Sequence, residues 1–403
     1  MRLRVLEDYR SLKGKRVLVR ADFNVPVNRG KIGAEEDWRL RRVVPTVEKL
    51  LKAGARVILA THMGRPEGKK VASLKLDAVA KRLSQLAHVP VTKLPDCVGS
   101  EVEKAVAAMK DGHAVMLENL RFRKGEEAND LAFAESLARL ADIYVDEAFG
   151  VAHRAAASNV AITRYLPSYA GPLLAAEVEA LTRALEAPER PYLVIMGGAK
   201  VSSKISVISQ MLSIADRVLL GGALIAPFYK AMSHCIGATS CSDEDLEAAL
   251  SLMKHPYYKK LILPHDVVIA DPKAPKDKPK VVDLQNEPFD LCQDHEAILD
   301  IGPKTISAYA SYIRSARMIV WNGPLGWFEQ PKFSHGTLAV GRLVAARSKG
   351  KTFGIVGGGE TVQALARTGL ADCVDHVSTG GGAMLEFLEG KVLPGIQPLL
   401  LES

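Results

Sequence analysis

Arginine and histidine recur in this sequence at one kind of place, immediately after a short apolar run. Val19 is followed by Arg20-Ala21-Asp22-Phe23-Asn24, Ala60 by Thr61-His62-Met63-Gly64-Arg65, and Leu117 by Glu118-Asn119-Leu120-Arg121. Val145 is followed by Asp146-Glu147-Ala148-Phe149-Gly150, with His153-Arg154 beyond. A guanidinium is a planar fork of donors that grips a phosphate or carboxylate through two oxygens. Arg39, Arg65, Arg121 and Arg154 together therefore suit a ligand with several anionic oxygens. Any one of them alone reads more simply as a salt-bridged or capped loop. Arg39, beside Arg41 and Arg42, also reads as part of a solvated helix face. Four such strings in succession shift the balance toward an anion site.

Further along, glycine takes the place of arginine. Met196 is followed by Gly197-Gly198-Ala199-Lys200 and then Lys204, and Leu220 by Gly221-Gly222. Val356 is followed by Gly357-Gly358-Gly359-Glu360-Thr361, and Ser378, one residue on, by Gly380-Gly381-Gly382. Glycine lets backbone N–H groups approach a phosphate, and a helix starting just after it offers unpaired donors at its positive end. A single such pair is more often a tight turn without a ligand. Four of them with two lysines favour a nucleotide. No GxxxxGK[ST] occurs and no GxGxxG follows the first strand, so neither the P-loop nor the dinucleotide fingerprint applies. Glu360 reads equally as a Mg²⁺ ligand beside phosphate oxygens or as a carboxylate complementing a helix start.

What must position these strings is an α/β scaffold. Short apolar runs alternate with segments of helical period, the pattern of β-α units and parallel sheets, in which ligands bind beyond the carboxyl ends of the strands. The predicted strands are Arg16–Val19, Arg56–Ala60, Ala114–Leu117 and Ile143–Val145, then Tyr192–Met196, Arg217–Leu220, Val267–Ile269, Met318–Val320, Phe353–Val356 and His376–Ser378. Leu174, Val178, Leu181 and Leu185 form a helical stripe ending before Pro188 and Pro191, which predicts a helix joining two halves. Asp271–Lys280, rich in Pro and Lys, is expected to be a surface loop.

A chain of 403 residues suits two domains. Its net charge of +7 is uneven, +9 over residues 1–175 and −2 over the remainder. The basic residues are scattered and lack aromatic interleaving or a groove-reading module, which argues against a nucleic-acid partner. Five cysteines, Cys97, Cys235, Cys241, Cys292 and Cys373, show no CxxC pair, so a reducing compartment is expected. The start, MRLRVLEDYR, is charged, and no apolar run approaches a membrane span, so a cytoplasmic location and no membrane partner are expected.

The strings themselves resemble those of the phosphoglycerate kinases, in order along nearly the whole chain. They are RADFNVP (Arg20–Pro26), THMGRP (Thr61–Pro66), LENLRF (Leu117–Phe122), DEAFGVAHR (Asp146–Arg154), GGAKVSSKI (Gly197–Ile205), WNGPLGWFE (Trp321–Glu329), GGGETV (Gly357–Val362) and STGGGAMLEFLEGKVLPGI (Ser378–Ile396). The resemblance implies two doubly wound parallel-sheet domains, residues 1–173 and 189–385, joined by a helix over 174–188, with 386–403 returning toward the first. It further implies a monomer whose cleft closes on 3-phosphoglycerate or 1,3-bisphosphoglycerate in one half and MgADP or MgATP in the other. By motif, Asp22, Phe23, Asn24, Arg39, His62, Met63, Gly64, Arg65, Arg121 and Arg154 would bind the phosphoglycerate. Lys204, Asn322, Pro324, Glu329, Gly358, Gly359, Glu360 and Thr361 would bind the nucleotide, Glu360 also holding Mg²⁺. Arg39, Lys204, Lys200, Gly381 and Gly382 would serve the transfer. The sequence departs from the family's usual pattern at four places: Glu360 stands where Asp is usual, Ala156 replaces a histidine, Ala223–Pro227 replaces a MANT-like stretch, and Met384 replaces a serine.

Overall fold

A computed structural model describes residues 1–9, 11–274, 278–284 and 290–401. The chain forms two compact units, Met1–Glu179 with Val392–Ser403, and Ala180–Lys391. In the first, a six-stranded parallel sheet runs Val91–Lys93, Ala114–Met116, Arg56–Ala60, Arg16–Arg20, Ile143–Asp146, Ser168–Ala170. Both faces of its central strands are covered, so those strands read as continuous apolar runs rather than alternating ones. Val17, Val19, Val57 and Leu59 pack beneath helices Trp38–Lys52 and Asp77–Ala87. Leu18, Ile58 and Val115 face Ser100–Ala107 and Leu131–Ala138. Strand order reverses between Arg16–Arg20 and Ile143–Asp146, which opens a crevice beyond their carboxyl ends.

The second unit repeats the plan with the order Leu261–Ile262, Arg217–Leu220, Tyr192–Met196, Met318–Asn322, Phe353–Gly357, His376–Val377. All are parallel, and the reversal falls between Tyr192–Met196 and Met318–Asn322. Ile195, Ile319 and Trp321 are buried with Tyr309 and Ile313 of helix Pro303–Ser315 and Val340 and Val344 of helix His335–Arg347.

The predicted strand at Val267–Ile269 is present, but in a separate antiparallel sheet with Lys280–Asp283 and Ala297–Ile301. The parallel sheet's place there is taken by Leu261–Ile262, an edge pair of only two residues and too short to show a period. Val91–Lys93 and Ser168–Ala170, also short edge strands, escape the periodicity for the same reason. Of the expected loop Asp271–Lys280, residues 275–277 lie outside the described residues, and Lys280 already begins a strand. Helix Pro172–Glu186 carries the chain from the first unit into the second, with Leu174, Val178 and Leu181 buried and Leu185 half-buried. Its start is braced by Glu147, which accepts from the Leu174 N–H at 3.0 Å and from the Thr46 hydroxyl.

Buried carboxyls give this fold a pH signature. Asp300, at the end of Ala297–Ile301, accepts from the Gly336 and Ile301 N–H groups, both at 2.9 Å, and burial still pushes its carboxyl up to about 7. Burial likewise pushes Glu147 up to about 7. A carboxyl whose pKa is higher folded than unfolded contributes stability at low pH that is lost as pH rises through the folded value. The thermal midpoint is therefore expected to fall as pH rises from about 4 to about 7, and Asp300→Asn to flatten that fall. A calorimetric pH series on both proteins reads the slope; an equal slope in the variant removes Asp300 from the account.

Candidate active site

In the first unit, the crevice is built on Arg20, the last residue of its strand and 2% exposed. Arg20 donates to Ser158 Oγ at 2.8 Å, to the Ala21 carbonyl and to His62 Nδ1 at 3.3 Å, with Glu126 3.9 Å away. Because arginine only donates, His62 Nδ1 accepts, and the ring's proton sits on Nε2. Burial, reinforced by Arg20, Arg121 and Arg39, depresses His62 to about 3 against the pull of Asp22, so the ring is a neutral donor at neutral pH. Asp22 is buried, which by itself raises its pKa, but the charge of Arg39 leads the opposing effects and leaves it below the usual range. Its carboxylate accepts from Arg39 and from the Asn24 N–H at 3.1 Å. Arg39 opens helix Trp38–Lys52 and lies 5.2 Å over the Trp38 ring. Its neighbour Arg41 is committed to buried Asp37, which also takes Arg82. Arg39 is thereby distinguished from the solvated face its sequence position allowed.

Around this centre the loops cross-link. The Gly64 N–H donates to Asn24 Oδ1 at 3.0 Å, and its carbonyl accepts from Arg121 at 2.8 Å. Asn119 accepts from the Met63 and Arg121 N–H groups and donates to the Met63 carbonyl. The side chains of Phe23 and Met63 are buried in the core, so these residues shape the wall and present no side chain to a ligand. Arg121 is buried and ion-paired to Glu127 at 3.2 Å, and it feels the charges of Arg20 and Arg154. Arg65 is exposed, with no protein partner among the described residues. Arg154 is exposed, its Nε 3.3 Å from His153 Nε2. Neither is matched by a carboxylate among the described residues, so the crevice keeps uncompensated positive charge.

In the second unit, the strings meet at the other strand reversal. Lys204 Nζ donates to the Gly197 carbonyl and to Asn322 Oδ1 at 3.0 Å, leaving one of its three N–H bonds for a ligand. Burial lowers its pKa to about 8, opposed by the charge of Glu360. Lys200 is exposed. A Cβ on Gly197 would lie 2.0 Å from the Pro324 carbonyl oxygen, so backbone packing itself requires glycine there. Gly358 caps helix Gly359–Arg367, and Gly380 caps helix Gly381–Leu388. A Cβ on Gly381 would come within 3.8 Å of Gly358 Cα, so the two helix starts stand side by side with their free N–H groups. The space beside Gly359 is open. Thr361 is buried, its hydroxyl accepting from the Gly323 N–H at 2.7 Å, which makes it a brace. Glu329 and Glu360 are exposed, Glu360 in the first turn of its helix.

No cluster of three His, Cys, Asp or Glu side chains able to hold a metal exists among the described residues. A lone exposed carboxylate beside two adjacent helix starts fits magnesium, which takes one or two carboxylates and completes its shell with phosphate oxygens and water. Ala223–Pro227 forms a short 3-10 segment, Ala223–Ile225, and the start of helix Ala226–Ala231, and the Leu224 N–H donates to the Gly198 carbonyl at 2.9 Å, fixing the first glycine turn. Met384 is fully buried, with Sδ 3.9 Å from Asn322 Nδ2. The Ala156 N–H donates to Asn159 Oδ1 at 2.8 Å.

One crevice thus offers guanidinium and imidazole donors, the other backbone donors, a lysine and a carboxylate. A family model described as Phosphoglycerate kinase matches residues 6–391. The chain belongs to the phosphoglycerate kinase family. The phosphoglycerate kinase of Moorella thermoacetica is 48% identical over 390 residues, covering 96% of this chain and 97% of the relative. The solved phosphoglycerate kinase of Coxiella burnetii superposes with a TM-score of 0.83 at 40% identity, covering 99% of both chains. That of Pyrococcus horikoshii gives 0.86 at 31% identity, covering 98% of both. Sequence reasoning about this kinase singled out neither Asn119, the hub of the first crevice, nor Gly323, the brace of the second. Asn119 stands in LENLRF between two charged residues, and Gly323 follows the strand that ends at Asn322; position after an apolar run was the available signal.

Proposed function

We propose that the first crevice holds the phosphoglycerate and the second the nucleotide of the family's reaction. That reaction moves a phosphoryl group between 1,3-bisphosphoglycerate and ADP, giving 3-phosphoglycerate and ATP. The observation that carries the assignment is the charge imbalance: Arg65 and Arg154 have no carboxylate partner, whereas the glycine turns bring mainly backbone donors. Arg39, Arg121, Asn24 and the His62 Nε2–H join them in binding the anion. Such a transfer needs little covalent chemistry, because charge spreads over the oxygens of a metaphosphate-like group and the acceptors are already ionised. Arg39 and Lys204 serve the transfer, with Lys200, Gly381 and Gly382 as further donors. Glu329 holds the ribose, and Asn322, Pro324, Gly358, Gly359 and Thr361 shape the nucleotide's phosphate site. Glu360 would hold magnesium with the nucleotide, and the ion would supply neutralisation of the phosphate charge there. The protein works as a monomer and in the cytoplasm, the second reading supported by its five free cysteines.

Arg65→Ala and Arg154→Ala are each expected to raise KM for 3-phosphoglycerate about tenfold or more with KM for ATP within about twofold. Unchanged KM values in both would overturn the assignment of the first crevice. Glu360→Gln is expected to raise the Mg²⁺ concentration for half-maximal rate by about tenfold. A magnesium titration identical to that of the parent would remove Glu360 as the metal's carboxylate.

A further inference from the structure

The reaction uses the carboxyl ends of the strands; at the amino end of the second unit's sheet lies a hollow of about 700 Å³ that it leaves unused. The hollow is formed where Met318–Asn322 and Phe353–Gly357 begin, and its wall includes Arg183, Arg317, Lys349 and Lys351 with Glu189 and Asp375.

The two carboxylates are already committed. Glu189 pairs with Arg183, whose guanidinium lies 3.9 Å over the Phe353 ring. Asp375 accepts from the Lys349 and Gly354 N–H groups at 3.0 and 2.8 Å. The other three cations have no carboxylate partner among the described residues. Arg317 reaches only the Lys351 carbonyl at 3.4 Å and the ammonium of Lys349 donates to the Asp372 carbonyl, while Lys351 makes no side-chain bond to the described residues. Like charges gathered on a concave wall repel one another, and a bound anion relieves that repulsion.

The wall is also preset. Lys349 has φ 53°, a conformation that side-chain-bearing residues rarely adopt, and it is pinned through its N–H to Asp375 and through its ammonium to Asp372. We propose that this hollow binds a small anion carrying two or more linked phosphate groups, at a site separate from both substrate sites. Four cations against two carboxylates leave a surplus of two, so a single phosphate would use only part of the wall. Arg317 supplies a fork for one phosphate and Lys349 and Lys351 supply point charges for the next. The shallow, solvent-open wall sets the affinity on the order of 0.1 mM rather than nanomolar.

The test is calorimetric titration of the full chain with sodium tripolyphosphate, magnesium omitted, with ADP and 3-phosphoglycerate saturating so that the substrate sites are filled. One saturable site is expected. Its affinity should fall at least about tenfold in the Arg317→Ala/Lys351→Ala double variant and stay unchanged in Arg65→Ala/Arg154→Ala, with kcat of the former equal to that of the parent. Absence of saturable binding, or equal affinity in Arg317→Ala/Lys351→Ala, overturns the proposal. Loss of binding in Arg65→Ala/Arg154→Ala would place the anion in the phosphoglycerate crevice and overturn it as well.

Discussion

Replacing Lys204 with methionine is expected to lower kcat by about a hundred- to a thousandfold while KM for 3-phosphoglycerate stays within about twofold. Two of the ammonium's N–H bonds are fixed by the Gly197 carbonyl and Asn322 Oδ1, so the third has a set direction before any ligand arrives. A donor held in advance, where phosphoryl charge develops, stabilises the transition state without reorganising during the reaction. Methionine keeps the buried stem and removes only the charge and its donors. Arginine should not restore the rate, because its planar fork does not fit a slot shaped for a point donor between Gly197 and Asn322. The same lysine sets a pH limit. Burial lowers it to about 8, so in the free kinase the ammonium is lost as pH rises through that value, and kcat/KM for ADP should decline above about pH 8. Steady-state kinetics in both directions, ATP formation from 1,3-bisphosphoglycerate and its reverse with 3-phosphoglycerate, between pH 6 and about 9 measure these effects. A methionine variant that keeps more than about a tenth of the parent's rate would remove Lys204 from the transfer.

Much of this arrangement could be read from residue order because parallel strands are buried on both faces and their apolar runs stand out. Arg56–Ala60, Tyr192–Met196 and Arg217–Leu220 begin and end where the apolar pattern puts them. Since ligands gather beyond carboxyl ends, locating a strand also located the crevice residues after it. Periodicity is blind to division of labour within a string. Arg20, Arg65 and Arg121 carry the same charge, yet Arg20 is spent on Ser158 and His62, Arg121 is held in place by Gly64 and Glu127, and Arg65 has no partner among the described residues. Those partners lie far away in sequence, Ser158 being 138 residues from Arg20, so only the folded crevice separates brace from ligand-binding side chain. Thr361 shows the same limit: placed by motif at the nucleotide's phosphates, it spends its hydroxyl on Gly323.

Gly323 is the position where fold and site fail together. Its φ is 95°, in a region that L side chains rarely adopt, and a Cβ there would sit 2.1 Å from the Gly197 carbonyl oxygen and 2.8 Å from Lys204 Nζ. Its N–H is held by Thr361 at 2.7 Å and its carbonyl by the Trp321 indole at 2.9 Å, so the turn cannot swing away without breaking one of these bonds. Gly323→Ala is accordingly expected to cost about 3 to 5 kcal/mol, combining backbone strain with overpacking. For a unit of this size that lowers its thermal midpoint by roughly 10 °C. Pushing back Gly197 also moves the carbonyl that orients Lys204, so nucleotide affinity should fall more than about tenfold. Binding of 3-phosphoglycerate should persist, because none of its proposed ligands belongs to this turn. Gly359→Ala is the control: nothing lies within 4 Å of its added Cβ and its φ is ordinary, so stability should stay within about 1 kcal/mol of the parent. Calorimetric unfolding with separate titrations of ADP and 3-phosphoglycerate distinguishes the two variants. If Gly323→Ala melts within about 2 °C of the parent and binds ADP as tightly, the backbone contact between the two turns does not hold the nucleotide site.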